Sequence, residues 1–288
     1  MERNDASVFG LCILCGWDNM DGLYCPYTDV TLYPTFDIST VPDLKYFSLG
    51  FIISDTNKNP SWGGHFGVGS TFYKDIIAKV RAKGGDCICS FGGADGRELA
   101  TVCGETDLFA KYKRVIDTYS FKSIDFDIEG PTLADTRANA TRAKVVVELQ
   151  NLYRDLRVSL TLPVDVDGLD KMALDVVQET PCDLVNIMAM DFGDVDDMGK
   201  AACDAALATR KQTGKNIGIT VMIGMNDDGN VFDLGDAETV KEFQKNNVWV
   251  KRLSIWAIER DAGKEGDLDH SSQVKEASWA YSKIFSSL

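Results

Sequence analysis

Apolar positions follow two alternating rhythms along this chain. Short runs rich in β-branched and aromatic residues occur near 7–15 (SVFGLCILC), 47–53 (FSLGFII), 86–91 (DCICSF), 123–129 (SIDFDIE), 157–162 (RVSLTL), 184–190 (LVNIMAM), 217–223 (IGITVMI) and 251–256 (KRLSIW). Their length and composition predict strands. Between them the apolar residues recur at three- and four-residue spacing, which predicts helices over 71–83, 108–119, 135–154, 167–179, 200–213, 236–246 and 272–286. The connection between the first two strands contains GLYCPYTDVTLYP, has no such period, and reads as an ordered loop. Strands alternating with helices imply parallel pairing through helical crossovers. Eight such units in 288 residues predict a single (β/α)8 TIM barrel forming one domain over 1–288. No G-x-G-x-x-G or Walker glycine pattern favours an open nucleotide-binding sheet.

One strand does not look like the others. In SIDFDIEG, residues 123–130, strand alternation puts Asp125, Asp127 and Glu129 on one face and Ile124, Phe126 and Ile128 on the other. An antiparallel strand with one wet face reads the same way. A barrel strand, however, is covered by helices outside and packed side chains inside, so three carboxylates there need a chemical reason. Barrel active sites lie at the C-terminal strand ends. Glu129 is read as the last residue of its strand, with Asp127 and Asp125 successively deeper. Crowded, desolvated carboxylates cannot all ionise cheaply, so at least one pKa is expected to rise into the range of a general acid near neutral pH. Glu129, at the rim, is the expected proton donor.

Charge narrows the partners. The formal net charge is −14 and the pI about 4.6, which repels phosphate backbones and anionic membranes, so no nucleic acid or membrane partner is expected. No apolar run approaches the roughly 20 residues of a membrane span. Met-Glu-Arg-Asn-Asp at the start lacks the basic and apolar regions of a secretory signal. The compartment is left open: intracellular, or secreted if a leader has been removed. Cys12 and Cys15 have a zinc-like spacing, but there is no second such pair and only two histidines, His65 and His270, so no metal site is expected. Cys87 and Cys89 read as small buried hydrophobes. Asn139-Ala-Thr141 is a glycosylation sequon that matters only for an exported chain.

The segment SIDFDIE resembles the strand-four signature D-x-x-D-x-D-x-E of glycoside hydrolase family 18, the chitinase and endo-β-N-acetylglucosaminidase family. SFGG at 90–93 is similar to that family's strand-three S-x-G-G, NIMAMDF at 186–192 to its strand-six M-x-Y-D, and SIWAIERD at 254–261 places Trp256 at its strand-eight tryptophan. The resemblance spans nearly the whole chain and implies hydrolysis of β-1,4-linked N-acetylglucosamine, in chitin or an N-glycan core, with retained configuration and no cofactor. It implies the substrate-assisted mechanism that departs from the two-carboxylate scheme. In this mechanism the acetamido oxygen attacks its own anomeric carbon while Glu129 protonates the leaving oxygen. By the same resemblance Asp127 orients the acetamido N–H, Asp125 holds Asp127, and Asp191 binds the distorted sugar. Ser90, Gly92 and Gly93 would support the site from strand three, with Trp256 beneath the sugar and Met190 and Phe192 as further substrate-binding positions.

Two positions depart from the family pattern. Lys122 replaces the first Asp of the signature, and Met190 replaces the strand-six tyrosine whose hydroxyl meets the acetamido carbonyl; the neighbouring Phe192 supplies no hydroxyl either. The resulting M-x-M-D resembles a bacterial-type branch of the family. A catalytically silent lectin-like or storage relative is the alternative reading, which the intact Asp125, Asp127 and Glu129 disfavour and Met190 favours. Trp62 and Trp17, in loops on the expected active-site side, are candidates for stacking sugar rings. Asp194, Asp196 and Asp197 lack the fixed glycine and distal Glu of a calcium loop and read as solvated.

Overall fold

A computed structural model describes residues 23–32, 36–263 and 265–287. The strand expected at 7–15, Trp17, Cys12 and Cys15 lie outside the described residues. In chain order the strands are β1 (Leu23–Tyr24), β2 (Tyr27–Asp29), β3 (Tyr46–Ser54), β4 (Pro60–Trp62), β5 (Phe66–Gly67), β6 (Asp86–Gly92), β7 (Ser123–Asp127), β8 (Arg157–Pro163), β9 (Leu184–Ala189), β10 (Asn216–Met222), β11 (Gly224–Met225), β12 (Val231–Phe232) and β13 (Val250–Trp256). The helices are α1 (Thr71–Ala82), α2 (Leu99–Val102), α3 (Glu105–Tyr119), α4 (Gly130–Ala134), α5 (Thr136–Leu152), α6 (Lys171–Glu179), α7 (Met198–Thr213), α8 (Leu234–Asn246) and α9 (Ala280–Ser286).

The fold is mixed α/β. Strands β3, β6, β7, β8, β9, β10 and β13 pair successively and in parallel. The two ends of this run meet the same short segment: β1 pairs in parallel with β13, and β2 with β3. The switch falls at Cys25-Pro26, where the Cys25 N–H donates to Leu253 O (2.9 Å) and Pro26 O accepts from the Ser48 N–H (2.9 Å). Proline has no N–H to offer a ladder, so pairing changes neighbour there without orphaning a donor. The sequence reading of this segment as a loop is therefore corrected. The place between β13 and β3 is filled by Leu23–Asp29, in two short pieces interrupted by a proline.

Outer helices begin where aspartate side chains accept their free N–H groups. Asp135 caps α5, Asp170 caps α6, Asp197 caps α7, and Asp233 with Asp236 forms a capping box on α8. Asp197, read from sequence as merely solvated, is thus a helix cap. The helix expected over 272–286 is confined to Ala280–Ser286, because the Asp261 carboxylate accepts from the N–H groups of Tyr281 (3.2 Å) and Ser282 (2.8 Å) and sets its start. Among the described residues no helix is long and apolar enough to cross a membrane.

The outer face of β7 carries the apolar half of its pattern. Phe126 stacks on Phe91 of β6 (centroids 5.4 Å) and meets Tyr112 of α3 (5.2 Å), and the Arg142 guanidinium lies 5.9 Å from its centroid. Arg142 is fully buried and paired with Glu98, Nη2 to Oε2 at 2.8 Å, while its Nη1 donates to Asn139 Oδ1 at 2.8 Å. The Asn139 amide nitrogen donates to Leu133 O at 2.9 Å, and the residue is 4% exposed. The sequon asparagine is therefore sealed inside the protein. The inward face is polar instead: Ser90, Asp125, Ser159, Thr161, Asn186, Thr220 and Arg252 are all buried there.

Candidate active site

A cleft of about 580 Å³ opens at the C-terminal ends of the parallel strands. Trp256, Met222 and Asp127, the last residues of β13, β10 and β7, all line it. Asp125 sits below it, fully buried and surrounded by four hydroxyls from three strands. Tyr27 donates to it at 2.9 Å, Ser90 at 2.7 Å and Thr161 at 2.9 Å, and Ser159 donates to its other oxygen. Such a cage fixes the carboxylate on one rotamer and fills its acceptor sites.

Asp127 lies one strand step higher and is treated differently. It is only 5% exposed, and its Oδ1 has no hydrogen-bond partner. Burial, with the charges of Glu129 and Asp125, pushes its pKa well above the usual carboxylate range. Glu129 is half-buried, and burial together with the charge of Asp95 pushes its carboxyl up to about 7. A raised, tightly interacting pair of carboxyls titrates as a unit and holds a proton near neutrality. Here the strand reading needs a small correction. The ladder ends at Asp127, the Ile128 N–H still donates to Thr161 O (3.0 Å), and Glu129 is the extended residue that precedes α4. The alternation of faces nevertheless continues through Glu129, which lines the cleft with Asp127.

The glycines at the end of β6 serve close approach. Gly92 has φ +104°, and a Cβ there would stand 2.0 Å from Asp127 O; at Gly93, φ +89°, it would strike the Phe51 ring at 2.7 Å. The Gly93 N–H donates to Asp127 O (3.1 Å), tying β6 to the carboxylate strand. Ser90, Gly92 and Gly93 thus act behind the cleft wall. Trp256 stacks on Phe51 (centroids 5.6 Å, 22° between planes) and tilts against Tyr27 (6.0 Å), forming an aromatic face within the cleft. Met190 and Met188 also line the cleft.

Asp191 has φ +52° and also lines the cleft; its N–H donates to Asn226 Oδ1 (3.2 Å), and its Oδ1 accepts from the Asp228 N–H (3.2 Å). Burial pushes its carboxyl up, against the pull of that N–H.

Two sequence candidates are misplaced. Trp62 is fully buried, its Nε1 donating to Tyr119 OH (2.8 Å) and its ring packed on Tyr73 (4.9 Å), so it cannot stack a sugar. Phe192 packs against the apolar core and does not line the cleft. Conversely, Tyr27, Asp29, Phe51, Asp95 and Asp227 belong to the cleft and were not singled out. Tyr27 and Asp29 lay in the supposed loop; Asp95 follows SFGG by two positions, a spacing that could have marked it. Among the described residues no cluster of His, Cys, Asp and Glu could hold a metal ion.

No family model matches the sequence. The chain is 30% identical over 312 residues to a probable bifunctional chitinase/lysozyme of Escherichia coli (strain K12), covering 91% of this chain and 34% of that protein. It is 29% identical over 282 residues to endochitinase 11 of Metarhizium anisopliae, covering 83% and 52% respectively. The chain thus spans about a third and about half the length of these curated relatives. Among solved structures, the catalytic domain of a hyperthermophilic chitinase from Pyrococcus furiosus superposes with a TM-score of 0.81 at 27% identity, over 91% of this chain and 93% of that one. The catalytic domain of a family GH18 chitinase from the fern Peteris ryukyuensis shares the fold alone, with a TM-score of 0.67 at 15% identity over 92% and 99%. The fold is that of chitinase catalytic domains.

Proposed function

We propose that the chain belongs to glycoside hydrolase family 18, that its strand circuit closes into a single (β/α)8 barrel, and that it hydrolyses β-1,4-linked N-acetylglucosamine in chitin or chitooligosaccharides. The likeness to chitinases of a bacterium, a fungus and an archaeon supports the family and the substrate class. The pairing of Leu23–Asp29 with both β13 and β3 supports the closed barrel. The observation that carries the chemistry is the Asp127–Glu129 pair: two carboxyls raised chiefly by burial, Asp127 also by the charges of Glu129 and Asp125 and Glu129 by that of Asp95, with a buried Asp127 oxygen left unpartnered in the cleft.

On this reading Asp127 Oδ1 accepts the acetamido N–H of the sugar, which makes the acetamido oxygen the better nucleophile. That oxygen bonds to C1 as the glycosidic C1–O bond breaks, its electron pair leaving on the departing oxygen, which takes the Glu129 proton. Water then attacks C1, Glu129 recovers a proton from it, and the acetamide is restored, with retention at C1. Asp125, fixed by its hydroxyl cage, holds the charge that keeps Asp127 from ionising freely. Asp191 contacts the distorted sugar, and the Trp256–Phe51 face takes its apolar side. Met190 has no hydroxyl for the acetamido carbonyl, a loss of the kind that costs about 10²–10³ in rate. That single position favours the second reading, a sugar-binding protein without turnover.

The test is incubation with chitin oligomers of defined length and with a high-mannose N-glycan, reading products by mass and the first-formed anomer by NMR. Cleavage of chitin oligomers to β-anomers is expected. Initial α-anomers would overturn the mechanism, and binding without any cleavage would leave the lectin-like reading in its place.

A further inference from the structure

Six carboxylates line the cleft, Asp29, Asp95, Asp127, Glu129, Asp191 and Asp227, and no lysine or arginine is among its described lining residues. A fully acetylated chain is neutral and draws nothing from most of this charge. The acids outside the Asp127–Glu129 pair fall in two groups. Asp29 feels the charges of Asp95 and Asp269, while Asp191 feels those of Asp227 and Asp228. Asp95 follows β6 and Asp191 follows β9, so the groups stand on opposite sides of β7 in the sheet order. Arg260 is within electrostatic range of Asp227 and Asp191 in the second group and of Asp269 beside the first, yet it is buried and its Nη2 is committed to Ile223 O (2.8 Å) and Met225 O (2.6 Å). It does not present a cation to a ligand.

A second, independent feature marks where a sugar nitrogen belongs. Asp127, 5% exposed, keeps its Oδ1 without any partner on the cleft wall, an acceptor set for an N–H donor. The cleft thus offers one buried acceptor for an amide nitrogen and, on both sides, partly exposed carboxylates suited to free ammonium groups. A β-1,4-linked amino sugar chain carries both kinds of nitrogen when some of its units have lost their acetyl groups.

We infer, on the reading given under Proposed function, that the cleft takes an acetylated unit at Asp127–Glu129 and glucosamine units, as ammonium ions, beside Asp29 and Asp95 and beside Asp191 and Asp227, so that partially deacetylated chains are preferred substrates. Each partly exposed ammonium–carboxylate contact is worth about 1.5–5-fold in binding, and salt screens it. Chains whose sugars bear carboxylates are disfavoured by the same field.

The experiment compares kcat/KM and binding for fully acetylated and half-deacetylated oligomers of one length, in the parent and in Asp29→Asn and Asp227→Asn, with melting temperatures to verify folding. Asp95 is left unchanged because its charge also acts on Glu129. The parent is expected to favour the half-deacetylated oligomer by about 3–10-fold at low salt, with the ratio falling toward one at about 0.5 M salt and by about 1.5–5-fold in each variant. The salt titration of the parent needs no variant to fold. Equal or faster cleavage of the fully acetylated oligomer at low salt overturns the selectivity and leaves the proposed hydrolase standing. Salt-sensitive preference in binding without cleavage keeps the selectivity and overturns the hydrolase, and neither binding nor cleavage overturns both.

Discussion

Tyr27 of β2 donates a hydrogen bond of 2.9 Å to Asp125 of β7, across the polar interior and between positions 98 residues apart in the chain. The residue that helps join the two ends of the strand circuit is therefore also a ligand of the deepest carboxylate. Tyr27→Phe removes one donor from a buried charge and is expected to lower stability by about 1–3 kcal/mol. Because the remaining hydroxyls hold Asp125 less firmly, kcat is expected to fall as well. Urea unfolding and steady-state kinetics check the two effects, and unchanged values in both would remove Tyr27 from the supporting network.

The two faces of β7 predict opposite phenotypes. Glu129→Gln preserves shape but carries no transferable proton, so turnover should drop by about 10²–10⁴ while oligosaccharide binding persists. Asp127→Asn should also impair turnover strongly. Phe126→Ala, on the face packed against Phe91, Tyr112 and Arg142, should instead cost about 3–5 kcal/mol of stability. Rates, binding and melting temperatures of the three variants separate chemistry from packing.

Burial and, after it, the Asp95 charge set the pH range over which Glu129 stays protonated. Glu129 is pushed up to about 7 by burial and by the Asp95 charge. The acid form is lost as pH rises through that value, and removing the neighbouring negative charge makes ionisation easier. Asp95→Asn should shift the alkaline limb of the kcat/KM profile to lower pH. A profile unchanged or moved upward would show that the Asp95 charge does not reach the acid.

Folding stability should itself decline as pH rises. Burial pushes Glu259, whose carboxyl accepts from Thr28, up to about 8, and Asp261 to about 6, beside Glu129 at about 7. Their folded-state pKa values lie above the unfolded ones, so the folded state binds more protons between the two. The stability they contribute is complete below about 3.8 and is lost as pH climbs toward about 8. Urea midpoints measured from pH 5 to 8 should fall, and Glu259→Gln should flatten the decline; a flat or rising parent profile contradicts this.

The repeating β and α periods were legible because each element has an apolar face of its own. Seven of the expected strands correspond to β3, β6, β7, β8, β9, β10 and β13 within a residue or two. The site's carboxylate strand was legible for the same reason, since alternation alone sorts Asp125, Asp127 and Glu129 from Ile124, Phe126 and Ile128. What local pattern could not carry was anything fixed by a distant partner. Leu23–Asp29 is extended because β13 and β3 flank it, while Pro26 and its polar neighbours erase the period. The last helix begins at Ala280 because Asp261, far back in the chain, accepts from its first N–H groups. Trp62 looked like a loop platform until Tyr73 and Tyr119 enclosed it. Asp95 and Asp227 became cleft residues only through the folding of the loops that carry them.

The burial of Asn139 decides what a eukaryotic secretory pathway would do with this chain. Oligosaccharyl transfer acts on the nascent, unfolded polypeptide at Asn-x-Thr, whereas the folded protein holds that side chain between Leu133 O and Arg142, beside the Glu98 ion pair. A glycan attached there has no room inside the structure, because it is large and hydrophilic and belongs at a surface. Sugar attachment and folding at this position exclude each other, so production by secretion from yeast or animal cells would divert every modified chain to quality control. Asn139→Gln would not restore the fit, since the longer amide displaces both partners. A compatible route is synthesis where no such transferase operates.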